Sequence, residues 1–342
     1  MSLETGSPSK GPPRKFELAD MSKLTRPHLC VVIDTEEDFD WGGSFSRNNI
    51  SVDSFRYVGR AQSVFEEHGV QPCYLVTYPI IMDASAARIL QQWQGERRCV
   101  VGAHLHPWVT PPHEEVVCLA NSYPCNLSRD LEQRKLQALS DAALDRIGQR
   151  PTVYKAGRYG LRLEHGAMLA ELGFDVDTSV LPFRDLSGLG GGPDFFGCPS
   201  QPFWADASRR LLHVPMTQGL IGPLRMLAGS GADRLLLSIR LHRLRVPGIL
   251  SKLGLLERIM LTPEGVSSDD MRRLVVNLAS DGQTMFVLTM HSPSFAPGRS
   301  PYARDEAEVE ALLARLDNFL SFFRTELGGV AITPAELKAA AS

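Results

Sequence analysis

Short apolar runs that end in polar tips and alternate with helical stretches limit what this chain can fold into. The runs lie at 29–34, 70–77, 99–106, 151–155, 174–179, 211–215, 284–290 and 330–333. They are separated by patterned helices near 52–68, 84–93, 128–147, 164–172 and 303–325. Strands and helices alternating at roughly thirty- to fifty-residue intervals predict a parallel sheet with helices outside it. Seven or so such strands fit an α/β fold of the distorted (β/α) barrel type better than an open sheet. Residues 1–27 mix Pro, Gly, Ser and Lys without periodicity and are expected to be disordered or loosely attached. Residues 28–342 are expected to form one domain.

The first run, Cys30–Val31–Val32–Ile33, delivers Asp34, Glu36, Glu37, Asp38 and Asp40 at its tip, five carboxylates within seven residues. Such groups repel one another, and an arrangement that keeps several ionised usually includes a cation, either a metal or an arginine. An acidic loop that simply holds water is the competing reading. A later strand, Cys99–Val100–Val101, ends in His104 and His106 before Pro107–Trp108, and the run 284–290 ends in His291. On a regular strand residues i and i+2 face the same side, so His104 and His106 can share an ion while Leu105 packs away. His113 in the Pro-rich loop beyond is the alternative second histidine. Core histidines would be the default for two imidazoles beside a valine pair, but the acidic tip and His291 reverse that preference.

A carboxylate with two imidazoles is a usual three-ligand set for catalytic Zn2+ or a similar divalent ion, with Ni2+, Co2+ and Mn2+ as alternatives. A second carboxylate could then serve as base and a histidine on the opposite side as acid. Glu37, Asp38 and Asp40 are expected to be solvated or to lie behind the ligands. Trp41, Trp108 and Trp204 are candidates for stacking on a sugar, although tryptophans in such proteins more often pack.

Net charge is −3 at pH 7, which gives no bulk electrostatic case for nucleic acid or for an anionic membrane. The six cysteines show no C-x-x-C pair, which suits free thiols in a reducing compartment. No apolar run approaches a membrane span, and a cytoplasmic protein is expected. There is no phosphate-binding glycine loop and no GxSxG elbow. The Leu/Arg-rich stretch 220–262 reads as mostly helical, a lid or a subunit interface that would make a homo-oligomer.

Four motifs in order resemble the polysaccharide deacetylases with NodB homology, and within them the divergent WalW-like subgroup. They are Asp34–Thr35–Glu36–Glu37–Asp38, Gly102–Ala103–His104–Leu105–His106–Pro107–Trp108, Ala156–Gly157–Arg158–Tyr159–Gly160 and Leu288–Thr289–Met290–His291. The resemblance spans about 29–333. It implies metal-dependent removal of an N- or O-acetyl group from a carbohydrate. By that resemblance Asp34 is the base, Glu36 and His104 are ligands, Arg158 orients Asp34 and His291 is the acid. His106 enters as a ligand by the strand argument, because the residue four beyond His104 is Trp108. Trp108, Tyr159 and Asp177 are the candidates for contacting substrate. Which of Asp34 and Glu36 binds metal stays open at this point. So do hydrolysis of another amide C–N bond and an inactive carbohydrate-binding relative.

Overall fold

The computed structural model describes residues 16–39, 41–224 and 255–341. Twelve strands appear among them. In chain order they are β1 (Glu17–Leu18), β2 (His28–Thr35), β3 (Cys73–Val76), β4 (Val100–Leu105), β5 (Val153–Ala156), β6 (Val176–Asp177), β7 (Phe203–Trp204), β8 (Leu212–His213), β9 (Gln218–Ile221), β10 (Glu257–Met260), β11 (Met285–His291) and β12 (Val330–Ala331). Seven of these, β11, β2, β3, β4, β5, β6 and β8, lie side by side in parallel register. The predicted strand number and direction therefore hold.

The sheet is an open ladder, and separate hydrogen bonds bridge its gap. Met216 N–H donates to Val180 O, Leu261 N–H to Thr217 O and Thr289 N–H to Leu261 O. The antiparallel hairpin β9–β10 thus spans the space between the continuation of β8 and the middle of β11. This accounts for the distortion from a regular barrel. The stretch 220–262, read as mostly helical, is entered and left through the strands β9 and β10, and its greater part, residues 225–254, lies outside the described residues.

Helices cover the outer face. They include Ala84–Gly95, capped by the Asp83 side chain on the N–H groups of Ser85 and Ala86. Arg129–Ile147 is capped by Ser128 and closed by Gly148 at φ 90°. Glu306–Thr325 buries Val309, Leu312, Leu316 and Phe319. Parallel strands covered on one face by helices and filled on the other read as unbroken apolar runs. That explains Val31, Val32 and Ile33, all at 1% exposure or less.

The N-terminal expectation needs one correction. Residues 16–27 are attached: β1 pairs antiparallel with β7, Ala19 N–H donates to Pro202 O, and Leu24 is buried. Phe16 packs edge-on to Phe203. A few apolar side chains anchor a segment whose composition otherwise reads as linker. Among the described residues no helix is long and apolar enough to cross a membrane, and all six cysteines are free.

Candidate metal centre

Parallel register places the polar tips at one end of the sheet. Asp34 is opposite His291 across β2–β11, and His104 is opposite Lys155 across β4–β5. Alternation along the strands then sends Asp34 with Glu36, and His104 with His106, to the interior. The interior is a cavity of about 430 Å3 lined by Asp34, Glu36, His104, His106, Glu264 and His291, among others.

Glu36, His104 and His106 each present one ligand atom, all within 4.8 Å of one another. Glu36 Oε2 stands 3.5 Å from His106 Nε2 and 3.8 Å from His104 Nε2. These separations are too long for good hydrogen bonds. Two ligands held at about 2.0–2.1 Å on a tetrahedral ion are themselves roughly 3.3 Å apart, close to what is seen. The imidazoles are also set for coordination. His104 Nδ1 lies 3.0 Å from Lys155 O and His106 Nδ1 lies 2.8 Å from Glu37 Oε1. Nδ1–H donation to those acceptors leaves both Nε2 lone pairs facing Glu36. Glu36 Oε1 is buried without a hydrogen-bond partner. Burial pushes the Glu36 carboxyl up to about 7, only partly offset by His291 and His106. Burial likewise holds His104 down to about 3, so it stays neutral and able to ligate. The donor set fits a divalent cation.

Of the two carboxylates left open by the sequence, Glu36 is in this group and Asp34 is not. Asp34 accepts from Lys155 Nζ on both oxygens, at 2.8 and 2.7 Å. Burial alone would raise its pKa, but the charges of Lys155, His104 and His291 outweigh burial and hold it at about 2. His291 Nε2 faces Asp34 Oδ2 at 3.6 Å from the other side. Its Nδ1 lies 2.8 Å from Glu264 Oε2, and its backbone N–H donates to Glu264 Oε1 at 3.0 Å. Burial works against protonating His291, yet Glu264 overcomes it and carries the imidazole up to about 9.

Four other residues named from the sequence have surroundings that differ from the roles read for them. Arg158 does not reach Asp34. Its guanidinium lies over Tyr123 and Phe45 and donates to Ser122 Oγ. Lys155, three residues earlier and inside β5, holds the position assigned to it. Trp108 is buried and stacks on His106 with centroids 4.2 Å apart, so it packs behind that imidazole rather than lining the cavity. Asp177 is fully buried and bonded to His213 Nδ1 at 2.8 Å, away from the cavity. His113 is not in the ligand group. Glu37, read as solvated or behind the ligands, is fully buried and is the partner of His106.

Tyr159 does line the cavity, and the motif around it has a physical reason. Arg158 and Tyr159 both sit in left-handed backbone, at φ 55° and 59°, which is costly for side chains of that size. Gly157 permits the turn: a Cβ there would run into Leu105 O and lie 2.7 Å from His106 Cδ2. Glycine thus lets the turn pass directly beside a ligand.

Lys155 and Glu264 join the site beyond the residues read from sequence, and Glu37 takes one of the two places read for it, behind His106. For Lys155 a signal existed, since a lysine inside the strand run Thr152–Val153–Tyr154–Lys155–Ala156 must be paired if the run is buried. We expect Glu37→Ala to weaken metal binding about 10- to 100-fold, as loss of such an outer partner typically does. Competition against a chromogenic chelator would read this directly, and unchanged affinity would mean that His106 is oriented by Trp108 alone.

No family model matches the sequence, and no curated protein matches it. Solved structures do match. One described as a candidate polysaccharide deacetylase from Mycobacterium smegmatis aligns with a TM-score of 0.51 at 15% identity, covering 92% of this chain and 91% of that one. A peptidoglycan deacetylase from Bacillus subtilis, in mutant form, aligns at 0.41 and 10% identity, covering 93% and 92%. A 4-alpha-glucanotransferase from Thermococcus litoralis aligns at 0.46 and 14%, covering 92% of this chain but 40% of that one. At these identities the likeness is one of fold.

Proposed function

We propose that this chain, which has the polysaccharide deacetylase fold, is a metal-dependent hydrolase that removes an acetyl group from an N- or O-acetylated carbohydrate. The observation that carries the reading is the division of labour at one cavity. Glu36, His104 and His106 converge on a cation-sized gap, while Asp34 and His291 flank it, held by Lys155 and Glu264 respectively. The four motifs that resemble the deacetylases supply most of these residues.

Glu36, His104 and His106 would hold the ion, most simply Zn2+. When bound, a divalent ion there supplies Lewis acidity to an acyl carbonyl and to a water. The chain's own groups handle the protons. Asp34, kept ionised by Lys155, accepts a proton from the attacking water at a carboxylate oxygen. His291, protonated through Glu264, donates from Nε2 to the departing amine or alkoxide. Base and acid face each other across 3.6 Å, so the reacting carbon belongs between them and the ligand group. Trp41, edge-on to His291 at 4.8 Å between centroids, and Tyr302 form the wall on which a sugar ring would rest.

Acetate release from a panel of acetylated sugars by protein loaded with Zn2+, Ni2+, Co2+ or Mn2+ tests the reading. Acetate formed only with metal supports it. No acetate from any sugar, with ammonia or amine released from simple amides, would move the protein to the hydrolysis of another C–N bond. Full metal loading with neither product would make it an inactive carbohydrate-binding relative.

The Glu264–His291 pair adds a pH prediction. The acid must be protonated, so activity should fall on the alkaline side as pH rises through the His291 pKa of about 9. Glu264→Gln removes the charge that raises that value. Its alkaline limb should therefore move down toward the ordinary histidine value of 6.5, as read from pH–rate profiles of kcat/KM. An unmoved limb would assign the acid to another group.

A further inference from the structure

The charges deep in the cavity are matched, and those toward its outer wall are not. Asp34 is neutralised by Lys155, Glu264 by His291, and Glu36 by the cation its site fits. Arg158 and Arg184 line the same cavity. Among the described residues Arg158 makes a single hydrogen bond, to the neutral Ser122 hydroxyl, and stacks on Tyr123 and Phe45. Its left-handed backbone holds it there. Arg184 has no ion pair and no side-chain hydrogen bond among the described residues. Close behind it is Arg258, whose guanidinium donates to Phe183 O at 3.0 Å. Burial and then the neighbouring Arg184 charge push Arg258 down to about 10. Two guanidiniums set near each other repel, and an anion placed between them and the solvent would relieve that. Trp41 adds to the cavity lining a buried Nε1–H with no acceptor among the described residues.

We propose that the substrate is an anionic acylated sugar, whose acyl group lies at Glu36, His104 and His106 while its acidic substituent is gripped by Arg158 and Arg184. The substituent is an oxyanion, either a sugar phosphate ester or a uronic carboxylate. Guanidinium forks recognise both in bidentate fashion. The cavity of about 430 Å3 lies toward the small end of ligand pockets, which suits one charged sugar unit with its ends at these two places. The inference rests on the deacetylase reading for the acyl end but not for the anion end.

Binding without turnover separates the two. Glucose 1-phosphate, glucuronate and methyl glucoside carry no acetyl group, and their affinities for the metal-loaded full chain can be measured by calorimetry. We expect the phosphate or the carboxylate, whichever is the true source, to bind at least tenfold tighter than the neutral glucoside. Arg158→Gln and Arg184→Gln should each lose about tenfold of that preference at unchanged metal content. An oxyanion preference that survives both substitutions belongs to the metal ion and overturns the proposal, as does equal binding of all three probes. Absence of acetate release from every sugar would leave an arginine-dependent preference standing while the deacetylase reading fell. Turnover of neutral acetylated sugars, with no arginine-dependent preference, would do the reverse.

Discussion

Lys155→Met is expected to destabilise the protein by about 3–5 kcal/mol, the usual result of leaving one member of a buried ion pair without the other. Both side chains are almost fully enclosed, at 1% exposure for Lys155 and 4% for Asp34. Lys155 Nζ also donates to Thr289 Oγ1 at 3.1 Å, so three strands meet at this ammonium group. Burial works against its charge, and Asp34 more than compensates. The double variant Asp34→Asn/Lys155→Met should recover much of the loss, because it leaves no buried charge unpaired. Urea denaturation of the four proteins reads the coupling. A loss below about 1 kcal/mol in the single variant would mean that the pair behaves as a solvated one. The pair also sets a pH window. The Asp34 pKa lies below its ordinary 3.8, at about 2. Its stabilisation is therefore complete above about pH 4 and lost as pH falls through 2.

Asp34→Asn should lower turnover about 10²- to 10⁴-fold, the range for removing a general base, with metal content near that of the parent. His104→Ala should lose both turnover and tightly held metal, because it removes a ligand atom from a set of three. Elemental analysis beside single-turnover rates distinguishes them. Equal metal loss in the two variants would make Asp34 a ligand and would cancel the division between base and ligand on which the mechanism depends.

The strand tips were legible because a parallel strand announces itself by an apolar run and the chemistry follows at its end. Asp34, Glu36, His104, His106 and His291 all obey that rule. Parity along β4 was enough to pair His104 with His106 even though Pro107 follows at once. Lys155 is masked in the sequence by the arginine of the following turn, yet within β5 it shares the inward face with Val153, as strand alternation requires. Glu264 was hidden differently. It follows β10, a strand that the Leu/Arg-rich composition around it made look helical, and its contact with His291 joins positions 27 residues apart. Trp108 and Asp177 show the opposite failure. Residue type suggests substrate contact, whereas packing places one against His106 and pairs the other with His213.

The hairpin that bridges the sheet also bears on where Glu264 stands. Ile221 and Glu257 are directly paired across β9 and β10, so the ends of residues 222–256 are fixed side by side whatever lies between them. Loop-closure entropy changes slowly with length. The entropic cost of bringing the two strands together therefore depends little on how many residues join them. Glu264, the carboxylate bonded to His291, enters only after that register is set. The register of β9 and β10, more than the length of chain between them, therefore sets where Glu264 stands beside His291.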